Sequence, residues 1–346
     1  MRRLRLLAIS AAVFLPIACR DAAAPVPSAI SPSRGAVVRD VDGGGPVAFV
    51  PRDYPTIQSA VDAAGEGSTV MVAAGVYAEN VVIRTSHIRL QGAGGDVILD
   101  GSTLPGNGLP ALTGIGIHVL GASAAMPITD VEVSHFEVRN YVRGIVAQFA
   151  TSVAVSHNYV HDNRDKVGTA VLGNGTGIEL VSSSTSDVSH NTVSHNGLGG
   201  IQLRVGSTDN EVQQNQIDQQ NGWQSPTTFD GAGIMATGAG SNNNRIEYNT
   251  ILDTFGRGIM VSRPLGTTPI SGTYVAHNEV HGSERAGIGV MSSATLNTIV
   301  HNDARDNNLS GLPPCYRCNL FDNSVPGMNT WEKNLGTFSG TDHCAP

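Results

Sequence analysis

Aromatic residues are scarce in this chain: they fill 5% of its 346 positions, and two of them are Trp. Glycine runs the other way, with 41 residues. A composition so short of large rings and so rich in Gly does not suit a helical globule; it suits thin layers joined by many turns. Cysteine is also thin, at four residues. Cys315 and Cys318 form a Cys-x-x-Cys pair, but no second pair or His-rich tract accompanies them, which argues against a zinc or redox motif. Basic residues are in deficit, 21 Lys+Arg against 29 Asp+Glu. A surface of that sign argues against nucleic acid as a partner. The apolar run from Leu6 to Leu15 is too short to cross a bilayer. Helical periodicity is missing between the strand-like segments, which excludes a parallel sheet built from helical crossovers.

What the chain does have is one short phrase written repeatedly between Val131 and Asn308. An Asn follows a small apolar alternation in Val153-Ala-Val-Ser-His-Asn158, Asp187-Val-Ser-His-Asn191 and Tyr274-Val-Ala-His-Asn278, and the column continues through Asn215, Asn249 and Asn302. A second column is Gly followed by an aliphatic residue: Gly144-Ile145, Gly177-Ile178, Gly200-Ile201, Gly233-Ile234, Gly258-Ile259, Gly287-Ile288 and Gly311-Leu312. The shortest repeats advance by about 23 to 24 residues, the length of one solenoid coil. Period-two alternation in Gly177-Ile-Glu-Leu-Val181 and Gly200-Ile-Gln-Leu-Arg204 means strands, with Ile178, Leu180, Ile201 and Leu203 facing inward. Coils stacked at the strand spacing of roughly 4.8 Å bury one continuous core. The Asn is expected at a tight bend in the left-handed region, with its amide bonded along the stack.

These positions resemble the repeats of the right-handed parallel β-helix proteins, the pectin-lyase-like superfamily, whose motif is a Gly-Ile strand, a turn, and an aliphatic-x-x-Asn bend. The resemblance runs from about Val47 to Gly340. It implies an all-β fold, a right-handed single-stranded parallel β-helix (solenoid) with a short N-terminal capping helix. It implies little about activity, since the superfamily spans lyases, hydrolases, esterases, epimerases and proteins without known chemistry. Tyr54 to Ala64, followed by Ala74 to Ile83, looks like the opening of many such proteins, pectinesterases among them. Ile57, Ala60, Val61 and Ala64 form its amphipathic helix, which by resemblance plugs the first coil. Tyr77 and Glu79, in a Gly-x-Tyr-x-Glu turn, are read as structural.

Residues 1–18 read as a signal peptide: Arg2, Arg3 and Arg5, then the apolar run, then small residues. Leu15-Pro-Ile-Ala-Cys19 resembles a bacterial lipoprotein signal, which implies lipid attachment at Cys19 and export to the cell envelope, or else plain secretion. Its removal takes three Arg and no acid, leaving 18 Lys+Arg against 29 Asp+Glu, a balance of −11. Residues 19–46, rich in Ala, Pro, Ser and Gly, read as a flexible linker, and 47–346 as the β-helix domain. Three cysteines in an exported domain suggest one disulfide, Cys344 with Cys318 or Cys315.

Two insertions break the repeat. Asn158 to Gly177 and Asn215 to Gly233 take 19 and 18 residues where the other repeats take nine, and both precede the Gly-Ile strand. Insertions in solenoids map to loops on one face, often the binding face. Glu179, Gln202 and Arg204 point outward on adjacent coils between them, with Gln148 in the same set of rows. The first loop is expected to bring His161, Asp162, Asp165 and Lys166, and the second Trp223 and Asp230. Arg204 or Lys166 would neutralise a carboxylate, Trp223 would stack on a sugar, and Glu179, Asp162, Asp165 or Asp230 would move protons. Gln202, Gln148 and His161 complete the expected binding set.

The expectation is an exported carbohydrate-active protein, a lyase or epimerase acting on an acidic (uronate) polysaccharide, working as a monomer. The alternatives are a non-catalytic surface module that binds glycan or protein, and a glycoside hydrolase, which would use two carboxylates. The Asp-Pro-His, Trp-Ile-Asp-His, Asp-Asp and Gln-Gly-Arg signatures of the superfamily's alginate epimerases, pectate lyases, polygalacturonases and pectinesterases are missing, so no catalytic set carries over. Because β-helix lyases often use calcium, Ca2+ is the cofactor the resemblance implies, although no compact acidic cluster demands it. His135, His157, His190, His277 and His301 fall in one column. One His per coil makes a line along the axis, not a shell around a metal ion.

Overall fold

The computed structural model describes residues 39–41, 44–104, 114–164, 166–167, 170–171, 175–220, 231–262, 269–291, 294–307, 309, 319–324 and 328–336. Three long sheets of 12, 8 and 9 strands form the walls of a right-handed β-helix, and each coil visits them in turn. One coil runs through Thr176–Val181 on the 9-stranded sheet, Asp187–Ser189 on the 12-stranded sheet and Thr192–Ser194 on the 8-stranded sheet; Gly199–Arg204 then begins the next. Pairing between coils is parallel and in register, with Ile178 beside Ile201 and Leu180 beside Leu203. All four side chains are fully buried. The period-two alternation therefore does what it implies, placing one aliphatic file per wall against a shared core.

Gly177 shows why the Gly column is needed. A Cβ there would lie 2.6 Å from Val193 Cγ1 and 2.7 Å from the Gly200 carbonyl oxygen, so the backbone closes against the interior with no room for a side chain.

The Asn ladder is present, but the left-handed residue is its neighbour. His157, His190, His277 and His301 have φ of 56–57°, while the Asn that follows each points its amide inward. The Oδ1 of each Asn accepts the backbone N–H of the Asn one coil earlier, from Asn158 through Asn191, Asn215, Asn249, Asn278 and Asn302 to Asn334. The exposed preceding residue takes the bend so that the amide can satisfy buried backbone.

The first coil is covered by helix α1, Ile57–Ala63, which buries Ile57, Ala60 and Val61. Thr56 caps it in a capping box with Ser59. Glu79 accepts the N–H groups of Ile57 and Gln58 at 3.0 Å each, which places its charge at the positive end of the helix. Tyr77 donates its hydroxyl to the Ala73 carbonyl. Both residues of the Gly-x-Tyr-x-Glu turn are thus structural. Strands begin earlier than Val47: Arg39–Val41 pairs antiparallel with Gly44–Val50, inside the stretch read as linker.

Candidate functional site

On the outer face of the 9-stranded sheet, His118, Val146, Glu179, Gln202, Met235 and Met260 stand in register on successive coils. Glu179 is fully buried although it faces away from the core. Its two oxygens are divided between two arginines. Arg143 Nη1 lies 3.1 Å from Oε2, and Arg204 Nη1 lies 2.5 Å from Oε1. The Arg143 side chain is 18% exposed and that of Arg204 is 45% exposed. One dehydrated carboxylate therefore anchors two cations, and the Arg204 fork reaches solvent. Gln202 is buried and donates to Met235 Sδ at 3.4 Å. Ala232, Met235 and Met260 form an apolar patch next to it, with Met291 packed alongside. Among these methionines lies the buried Arg257, its Nη1 3.6 Å from Met260 Sδ, so cations stand at both ends of the wall.

Two participants were not anticipated. His118 sits one coil before the repeats that begin at Gly144, and its Nε2 lies 3.2 Å from Gln148 Oε1. Burial pushes its imidazole below the ordinary histidine value; Arg143 and Arg84 push the same way, against the Gln148 hydrogen bond and Glu179. The signal was available, because Gly116-Ile117-His118 continues the Gly-Ile column toward the amino terminus. Arg143 escaped notice because it occupies the position before Gly144, where the next coils carry the small residues Thr176, Gly199 and Ala232 and only Arg257 repeats the charge among these in-register positions.

His161 and Asp162 do not join this cluster. Tyr159–His161 is a strand of the 8-stranded sheet, and Asp162 takes the bend after it with φ 53°. Both precede the insertion rather than belonging to it. His161 is held between Asp162 Oδ2 at 2.8 Å and Glu137 Oε1 at 3.2 Å, with its ring stacked on Tyr159 at 4.1 Å. Arg139 bridges Glu137 to Asp100 on the same outer face. This is a structural ion network on another wall.

The network has a consequence for acid stability. Burial raises the Asp100 carboxyl, but hydrogen bonds from Ser102, Asn140 and Arg139 outweigh it and hold the group at about 2. An unfolded Asp titrates at about 3.9. Its contribution is therefore present above about pH 4 and lost as pH falls toward 2. Allowing for solvent screening, Asp100→Asn should cost on the order of 1–2 kcal/mol at pH 6 and almost nothing at pH 2. Unfolding midpoints measured across that range check it; a constant difference would contradict it.

Both insertions leave the coil at the same corner, between a strand of the 8-stranded sheet and one of the 9-stranded sheet (Tyr159–His161 to Thr176–Val181, and Gln216–Asp218 to Ala232–Thr237). The first contains a short antiparallel ladder, Lys166–Val167 with Ala170–Val171. Asp165, Trp223, Asp230 and the side chain of Lys166 lie outside the described residues, as do Cys19, Cys315, Cys318 and Cys344. The His column is a stack of exposed rings: His135 on His157 at 5.2 Å, His157 on His190 at 5.0 Å, and His277 on His301 at 5.1 Å. Among the described residues, no group of three or more His, Cys, Asp or Glu side chains is placed to hold a metal ion. Glu179, whose oxygens are both taken by arginines, does not fit a calcium ligand.

A protein family described as right handed beta helix region matches residues 63–263. No curated protein sequence matches the chain. Among solved structures, it is similar to XylC in complex with xylose (11% identity, TM-score 0.55), over 81% of this chain and 66% of that one. It is similar to the Dettilon tailspike protein (15% identity, TM-score 0.56), over 83% of this chain and 62% of the other. A third is the tailspike of E. coli bacteriophage HK620 in complex with a pentasaccharide (9% identity, TM-score 0.50), over 78% and 53%. The chain thus spans less than two thirds of the length of these relatives, and the likeness is one of fold. With the family match covering more than half of its length and three parallel walls visited in turn by each coil, the chain belongs to the right-handed β-helix family.

Proposed function

We propose that this is an exported cell-envelope protein, directed there by the segment ending at Cys19. On this reading it binds an acidic, uronate-containing polysaccharide along the outer face of its 9-stranded sheet and cleaves or epimerises it. The observation that carries this reading is the Arg143–Glu179–Arg204 arrangement. A carboxylate with both oxygens on guanidinium groups is a poor proton carrier but a firm anchor. It fixes two forks and leaves the remaining N–H donors of Arg204 free to grip a second carboxylate, that of a sugar. Removing the α-proton of a uronate builds negative charge on its carboxyl group, and a fixed guanidinium stabilises that charge. The sugar ligands held by XylC and the HK620 tailspike on the same fold support a glycan as the partner.

A non-catalytic glycan-binding role has one observation in its favour: Glu179, the residue expected to move protons, has no free oxygen. Hydrolysis is less well supported, because it needs two carboxylates facing one bond.

Titrating the full chain with an oligouronate and with a neutral oligosaccharide of equal length tests the reading. Wild-type protein should bind only the acidic chain, more weakly as salt rises. Arg204→Ala, checked for folding, should weaken binding at least tenfold, the loss of about 1.4 kcal/mol. A rise in ultraviolet absorbance from unsaturated product would mark the lyase form. Equal binding of both glycans, or none, would defeat the proposal.

A further inference from the structure

We infer that His118 is the proton-abstracting group of this wall; the inference rests on the acidic-glycan reading above. The acids expected to do this work are unsuited to it or lie outside the described residues: Glu179 is tied to two arginines, and Asp162 belongs to another wall. His118 is on the right wall, in register with Glu179 two coils away, roughly 10 Å at the strand spacing. It faces outward and is half-buried.

Its orientation is set by one hydrogen bond. An amide oxygen only accepts, so with Gln148 Oε1 at 3.2 Å the Nε2 of His118 carries the hydrogen. Nδ1 then keeps its lone pair, which is the requirement for a base. The groups around the ring pull both ways, and the net shift is downward. Arg143 and Arg84 disfavour a protonated imidazole, burial does so more strongly, and Glu179 and Gln148 oppose them. Burial first, then Arg143 and Arg84, disfavour the protonated ring, and Arg143 also stands on the wall proposed to bind a carboxylate. A site that favours a neutral base and a bound anion at once suits abstraction of a proton beside a carboxylate.

The step balances with solvent water as the other proton carrier. Nδ1 takes the C5 proton of a uronate, and the electron pair is delocalised into the carboxyl group, held by a guanidinium. In the lyase outcome that pair forms the C4–C5 double bond as the C4–O bond breaks, and the leaving oxygen takes a proton from water. In the epimerase outcome water on the opposite face returns a proton to C5. In both, the imidazolium then gives its proton to the hydroxide left behind, which restores the neutral base.

His118→Gln and His118→Ala, each compared with wild type on oligouronates, test the assignment. Turnover should fall on the order of 10²-fold in both variants while affinity for the oligouronate changes less than threefold. Added imidazole should restore part of the activity of His118→Ala only. The wild-type rate should rise through an acid limb lying below pH 6.5, the ordinary histidine value, and that limb should vanish in the variants. Wild-type turnover that survives either substitution would overturn the role of His118 and leave the binding wall standing, as would glycan binding with no turnover in the wild type. Failure of the wild type to bind any acidic glycan would instead bring down the reading on which the inference rests.

Discussion

Asn215→Ala should lower stability by about 3–5 kcal/mol, the largest single-residue effect expected in this protein. Asn215 sits in the middle of the amide ladder and is buried. Its Oδ1 accepts both the backbone N–H and the side-chain amide of Asn191. Its own Nδ2 donates to the Val188 and Gln213 carbonyls and to Asn249 Oδ1. Alanine leaves the Asn191 N–H unpaired in a dry interior, at a cost of about 1–3 kcal/mol, and removes the amide's bonds to Val188, Gln213 and Asn249, each worth about 0.5–1.5 kcal/mol. Position along the stack makes the prediction sharper. Asn334 closes the described ladder, is only partly buried, and accepts from Asn302 on one side. Asn334→Ala should therefore cost less than half as much. His190→Ala, which truncates an exposed ring, should cost under about 1 kcal/mol. Denaturant midpoints for the three variants order the effects; equal losses at Asn215 and His190 would show that the ladder is not what holds the coils in register.

The second large effect concerns the anchored arginines. Replacing both Arg143 and Arg204 by Met strands a carboxylate that is fully buried, at a cost of about 3–5 kcal/mol. Adding Glu179→Met to that pair should recover most of the loss, because a buried ion cluster exchanged for apolar side chains of similar volume is often neutral or better. The three sites are in contact, so the non-additivity is itself the prediction. The triple variant should be as stable as the wild type and should bind no acidic glycan. That outcome would separate the two jobs of the cluster: it contributes little to stability and holds two cations in place. A triple variant as unstable as the double would mean that the charges are structural.

The repeat was legible because each coil meets the same physical demands. Ile178 and Ile201 must fill the same slot, Gly177 and Gly200 the same contact, and Asn191 and Asn215 the same bond, so residue type recurs wherever geometry does. Where several side chains can meet one demand, the pattern fades. A second ladder at the corner after the 8-stranded sheet runs Asn163, Asn196, Gln220. A third, after the 9-stranded sheet, runs Ser186, Asn210, Asn244. Neither is conspicuous in sequence, because Ser, Asn and Gln can all offer an oxygen to the next backbone N–H. The left-handed bend was assigned to Asn when the exposed His before it takes that conformation, since the column shows only that the two are adjacent. The outward rows were readable to the extent that strand register sets them: Glu179, Gln202 and Arg204 stand where alternation puts them. Burial of that face was not readable. Alternation tells inward from outward, and it does not tell which outward faces are shielded from water. His161 was misplaced by counting it with an insertion that starts after the bend at Asp162.

The glycan-binding wall is checked by a crystal structure of the chain soaked with an oligouronate. A sugar should lie on the outer face of the 9-stranded sheet, with a carboxylate on the Arg204 or Arg143 guanidinium and a ring carbon facing His118. Sugar bound on either of the other two walls, or on this wall with its carboxylates turned away from the arginines, would contradict it.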